Sequence, residues 1–210
     1  MNFSLRWKNI FINYIRNNFK EYILTALLFL IGIFIGVMII NNCEETELSE
    51  ISEYILNFIE KFKELESLNR LELIINSAKN NVILALILWL AGTTIVGIPI
   101  VLIVLFFRGL CLGYTLSMIT YTLGTIKGIS FCLASIVLQN ILFIPAILTL
   151  GVSSIKLYKS ILKDRQRENI KIEIIRHTII SILMSIILIL SAIIENVISL
   201  AILQKIINYF

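Results

Sequence analysis

Histidine occurs once in these 210 residues, at His177, and proline only twice, at Pro99 and Pro145. A lone histidine removes the paired imidazoles that zinc enzymes use, and the chain has no HExxH, no CxxC and no Walker-type glycine loop. Cysteine is equally sparse. Cys43, Cys111 and Cys132 make an odd three, the last two inside apolar runs, so neither a disulfide framework nor a metal cluster is indicated. No cofactor is expected, and little is left for catalysis. Charge is thin as well: 18 basic and 14 acidic residues leave a net +4, too weak an excess to suggest nucleic acid. Asn81 to Gly151 contains only two charges, Arg108 and Lys127.

What the chain has in quantity is apolar surface. Hydrophobic residues make up 58% of it and the mean hydropathy is +0.93, whereas an ordinary soluble domain is about 45–50% apolar. A soluble globule of this size cannot hide so much, so lipid is the expected solvent. Crossing ~30 Å of hydrocarbon takes about 20 apolar residues. Residues 23–40 supply one span, the long uncharged stretch is about right for three more, and 178–203 supply the last. The fold class is all-α: a polytopic membrane protein with five transmembrane helices. A signal peptide is not expected at the start, because "VMIINNCEE" after the first run has neither an A-x-A pattern nor small residues before Cys43.

Two placements of the central spans compete. In one, residues 82–107 form a single span ending at Arg108. In the other, a span over 79–95 turns at "GTTIVGIP" and Pro99 begins a span over 99–123. Proline suits the first turn of a helix and sits poorly inside one, which favours the second placement. The chain then reads as one integral membrane domain, 1–210. Residues 1–22 are cytoplasmic, 23–40 a span, 41–78 an extracytoplasmic helical segment, 79–95, 99–123 and 129–151 spans, 152–177 a cytoplasmic basic loop, and 178–203 a span.

Charge sets the direction, since short cytoplasmic segments are rich in lysine and arginine. Residues 1–22 carry Arg6, Lys8, Arg16 and Lys20 against Glu21, and 152–177 carry seven basic residues against three acids. Both belong inside. Residues 41–81 carry nine glutamates against four basic residues and fit the outside. Four crossings separate the two basic segments, an even number, so charge and length agree on a cytoplasmic N-terminus and an extracytoplasmic C-terminus.

The outer segment places Leu48, Ile51, Ile55, Phe58, Phe62 and Leu65 at spacings of three and four, one face of an amphipathic helix. That face has three possible uses: covering its own bundle, pairing with its copy in a homodimer, or docking another protein. Within the spans the polar candidates are Arg108, Gln139, Asn140 and Glu195. An intramembrane charge raises a functional question by default. Reckoned along the helices from the inner side, Arg108 lies about 14 Å deep and Glu195 about 26 Å. A direct pair is therefore not expected, and a snorkelling Arg108 is. Gln139 and Asn140 either bond across helices or line a polar path. Glycines recur four apart, at Gly32 and Gly36, Gly109 and Gly113, and Gly124 and Gly128. Such pairs let helix backbones approach closely in lipid.

"NNVILALILWLAGTTIVGIPIVLIVLFFRGLCLGYTLSM" and "LQNILFIPAILTLG" together resemble the stage II sporulation protein M family. The pattern is an asparagine-led span, a glycine-broken turn, a polar residue and glycine before a second glycine four on, and a later polar span with proline. Many relatives outside sporulation have histidine and glutamate in the stretch matching Gln139 to Pro145. Asn140 and Phe143 stand nearest those places here, so the chain looks more like the sporulation branch. The resemblance implies a non-enzymatic scaffold in the mother-cell membrane. It would anchor two peptidoglycan-degrading enzymes, stage II sporulation proteins P and D, during septal thinning and engulfment. The outer helix would then hold the wall enzyme. The competing expectation is a permease-like subunit of an ABC-type assembly, coupled through residues 152–177 to a cytoplasmic ATPase.

Overall fold

The computed structural model describes residues 13–64, 70–94, 97–133, 136, 138–163 and 167–199. They form α1 (Phe19–Asn41), α2 (Glu45–Glu64), α3 (Arg70–Gly92), α4 (Gly97–Leu123), α5 (Thr125–Cys132), α6 (Leu138–Lys163) and α7 (Arg167–Ile194), which runs into a π turn at Glu195–Ser199. There is no strand among the described residues. Five helices are long and apolar enough to cross a membrane: α1, α3, α4, α6 and α7. Their outward sides carry bare apolar side chains such as Leu30, Phe34, Ile103 and Ile182. That surface suits hydrocarbon rather than water.

The bundle is built around α6. Of its membrane-length window 61% is buried, against 22% to 33% for the other four. Leu88 from α3, Val101 and Leu105 from α4, Ile147 and Leu150 from α6 and Leu188 from α7 meet in one core with no accessible surface. α1 joins from the side through glycines. A methyl added at Gly32 or Gly36 would run into the backbone at Phe106 or Leu110 of α4, and one at Gly109 or Gly113 into the backbone at Phe29 or Ile33 of α1. Backbones this close exchange dispersion contacts that larger side chains would forbid.

Gly124 and Gly128 do something else. Gly124 has φ +78° and open space around its Cα, while a methyl at Gly128 would strike the backbone of Thr120. The expected interhelical contact at Gly124 is therefore absent. This pair turns the chain from α4 into α5 instead of seating two spans.

Helices reach beyond the expected spans. α3 begins at Arg70, ahead of the span expected from 79, because nothing between Arg70 and Ala91 breaks a helix. α5 covers Thr125–Cys132, and the fourth long helix runs from Leu138 to Lys163. The basic segment 152–177 is mostly helix: α6 continues to Lys163 and α7 starts at Arg167. Ile155 and Leu157 are buried there, while Lys156 and Lys159 are not, so the charges mark one face of a helix and not a loop. The break between the second and third long helices falls between Gly92 and Gly97, and Arg108 lies within α4.

α6 also ties down the N-terminal end. Lys159 pairs with Glu21 at 2.6 Å, Tyr22 Oη and Thr149 Oγ1 lie 3.0 Å apart, and the Lys156 ammonium stands 5.5 Å from the Tyr14 ring centroid. Burial pushes the Tyr14 hydroxyl up to about 12, so the ring stays neutral beside that ammonium. Both basic segments therefore meet at one end of the bundle. α2 packs at the other, beside Asn41.

Candidate functional site

A bilayer interior offers no water to unpaired polar groups, so polar side chains gathered at mid-depth mark the site. They gather between α3, α4 and α7. Asn81 lies eleven residues before Gly92 and Arg108 eleven residues after Gly97, on either side of the same break. Both sit about 16 Å along their helices from it at ~1.5 Å per residue, which puts them level with each other. Asn81 is buried and donates from Nδ2 to the carbonyl of Leu188, 3.0 Å away, locking α3 to α7. Arg108 is half-buried with its guanidinium carbon 5.3 Å from the centroid of the Phe143 ring, a cation–π contact across to α6. Its side chain is partly exposed and rests between that ring and a polar cavity.

That cavity, of about 420 Å³, is lined by Ser77, Asn80, Asn81, Ile83, Leu84, Ile87, Arg108 and Glu195. A second, of about 230 Å³, lies against Asn81 and Arg108 from the α6 side and includes Thr115, Asn140 and Phe143. The structure thus brings together Arg108, Asn140 and Glu195. Arg108 and Glu195 form no ion pair with each other, in line with the expectation of no direct pair, and they line one cavity. Glu195 is carried by the π turn that follows α7, and such turns shift the side chains after them off the helical register. Asn140 Nδ2 donates to the Ile136 carbonyl at 2.7 Å while facing the smaller cavity. The side chain of Gln139 lies outside the described residues, as do those of Phe58 and Phe62 and all of Leu65.

Asn80 and Asn81 were read as the start of a span. With α3 beginning at Arg70 they fall in its interior, and the signal for that was the unbroken helical run before them. A second polar group was not anticipated at all. His177 is buried, with Nδ1 2.8 Å from Ser153 Oγ and Nε2 3.3 Å from the Trp89 carbonyl. A carbonyl only accepts, so the neutral ring carries its proton on Nε2 and Nδ1 accepts from the serine hydroxyl. Trp89 Nε1 in turn donates to Thr178 Oγ1 at 3.2 Å. This network ties α3, α6 and α7 together near the basic end. Among the described residues no three His, Cys, Asp or Glu side chains converge as metal ligands would.

The docking candidates on α2 also resolve by packing. Leu48 is buried with Ile40 and Met118, and Ile51 and Ile55 pack on the same clusters beside α4 and α5. Thr122 donates to Ser52 Oγ at 3.1 Å and fixes the register. Leu48 is thus used on its own bundle, while Ile51 and Ile55 are only partly covered and also line an apolar cavity of about 410 Å³ with Tyr54 and Tyr114. The side turned outward carries Glu45, Glu47, Glu50 and Glu53, with Glu44 just ahead of the helix and Tyr54 exposed among them.

A family model described as stage II sporulation protein M matches residues 25–200, most of the chain. No curated protein and no solved structure matches.

Proposed function

Since the chain belongs to the stage II sporulation protein M family, we propose that this multi-pass membrane protein is a scaffold for peptidoglycan-degrading enzymes, resembling stage II sporulation proteins P and D, during septal thinning and engulfment. The basic end faces the mother-cell cytoplasm, as the positive-inside rule directs. α2 faces the wall. In this reading the chain cuts nothing itself and supplies position.

The observation that carries the reading is the seating of α2. A long amphipathic helix is clamped by Leu48, Ile51 and Ile55 onto α4 and α5, leaving a fixed acidic face outside the bundle. A partner then docks by charge on Glu45, Glu50 and Glu53 rather than by the apolar stripe. Long-range attraction of this kind aligns and speeds encounter while leaving the helix in place.

The test reverses the charge of Glu45, Glu50 and Glu53 to lysine and follows fluorescently tagged wall hydrolases in sporulating cells. Loss of septal hydrolase localisation with normal membrane levels of the variant is the expected outcome. Hydrolases that still localise, both in this variant and after deletion of residues 46–66, would sink the docking role of α2.

A further inference from the structure

Arg108 is a permanent cation with five N–H donors, held in the interior of the bundle against the ring face of Phe143. The ion pairs among the described residues are Lys159 with Glu21 and Arg176 with Glu173, and Arg108 takes part in neither. A guanidinium at such depth calls for an acceptor. The cavity of about 420 Å³ beside it has the room.

The wall of that cavity is ordered by charge. Arg108 and Asn81 line it at the same level along their helices, Asn80 and Ser77 line it along α3, and Glu195 lines it from the π turn after α7. Ser77 lies four residues before Asn81 and Glu195 seven beyond Leu188, the residue that Asn81 grips. By helical rise Ser77 is thus displaced by about 6 Å and the acid by about 10 Å from the level of Asn81 and Arg108, toward the α2 end. Ile83 and Ile87 line the same cavity and are 44% exposed on the apolar outside of the bundle, so the cavity opens sideways to lipid.

A cation, neutral amide donors and a displaced carboxylate, reached from the hydrocarbon side, complement a headgroup that carries both charges. We propose that this cavity binds the phosphoethanolamine headgroup of a membrane phospholipid, its phosphate on Arg108 and its ammonium toward Glu195. Arginine suits a phosphoryl group because its planar fork donates two parallel hydrogen bonds. Asn80 and Ser77 donate to the remaining oxygens. Glu195 keeps contacts of its own, yet a carboxylate offers about four acceptor sites and has room for an ammonium. It gains no ion pair from a headgroup that ends in a neutral glycerol, and a trimethylated ammonium has no N–H to give it. The acyl chains remain outside, along Ile83 and Ile87.

The site is independent of the scaffold reading, and its test needs no wall enzyme. The full chain, purified in a nonionic detergent, is titrated with phosphatidylethanolamine, phosphatidylcholine and phosphatidylglycerol of matched acyl chains, and with inorganic phosphate, and bound lipid is counted by native mass spectrometry. Phosphatidylethanolamine should be retained roughly tenfold over the other two, the difference expected of one charged hydrogen bond. Arg108→Gln should lose all three lipids, and Arg108→Lys should keep part of the binding. Glu195→Gln should bind phosphatidylethanolamine and phosphatidylcholine alike. Asn80→Ala, at an exposed position, should weaken retention a few-fold without changing the melting temperature. Equal retention of the three lipids by the unaltered chain would overturn the proposal, and so would undiminished binding by Arg108→Gln. Displacement by equimolar inorganic phosphate would reassign the cavity to the free ion. If Arg108→Gln does not fold, unchanged selectivity in both Glu195→Gln and Asn80→Ala overturns the proposal in its place.

Discussion

Single residues decide which polar groups this bundle tolerates. His177 is accommodated because both ring nitrogens are satisfied, by Ser153 and by the Trp89 carbonyl. Ser153→Ala should lower stability in detergent by about 1–2 kcal/mol, the cost of one buried hydrogen bond. His177→Ala should cost more, roughly 2–4 kcal/mol, because it also empties a filled volume. Thermal unfolding monitored by circular dichroism checks both, and the reverse order would contradict the assigned network. Asn81→Ala should cost about 1 kcal/mol, since hydrogen bonds between helices in lipid are individually weak. Little of this was legible in the sequence. A lone histidine in a basic segment reads as a solvated residue, and only the buried face of α6 opposite it, with Ser153 and Ser154 in place of larger side chains, shows otherwise. Arg108 was visible as an oddity, but its partner Phe143 lies 35 positions away and no spacing rule reaches that far.

At the scale of elements, glycine placement tells two kinds of contact apart. Substituting Gly113 by alanine, valine and leucine should destabilise progressively, with the alanine step already near 1–3 kcal/mol, because each added carbon pushes α1 further from α4. At Gly124 the same series should cost a constant amount. Its strain comes from φ +78°, and nothing surrounds the position for a larger side chain to strike. Melting temperatures of the six variants test the contrast, and a size-dependent loss at Gly124 would defeat it. The pairing of Gly32 and Gly36 with Gly109 and Gly113 follows a pattern that the four-residue spacing displays openly. Boundaries were harder to read. α3 starts among charged residues because a helix needs no apolar stretch to continue, and hydropathy marks where lipid begins rather than where the backbone turns. The same confusion hid α6 inside the basic segment and moved Asn80 and Asn81 from a helix end to its middle.

The molecule as a whole has two ends of opposite sign. Lys156, Lys159 and Arg176 gather where α6 and α7 meet the N-terminal segment, and the glutamates of α2 occupy the other end. In a background with Cys43, Cys111 and Cys132 replaced by serine, a membrane-impermeant maleimide should label Glu50→Cys on intact cells. It should label Lys159→Cys and Thr94→Cys only after permeabilisation, and Arg108→Cys poorly in either case. Labelling of Lys159→Cys on intact cells would invert the orientation. The five crossings were readable from composition alone, because a count of apolar residues against bilayer thickness tolerates shifted boundaries. The meeting of the two basic segments was foreseen only as a shared side of the membrane, not as an ion pair between Lys159 and Glu21. The seating of α2 has a mechanical side. It rests on α4, α4 is sewn to α1 by glycines, and α1 is moored through Tyr22 and Glu21 to α6. An outward load on α2 would thus be shared in shear among three long helices instead of peeling one loop.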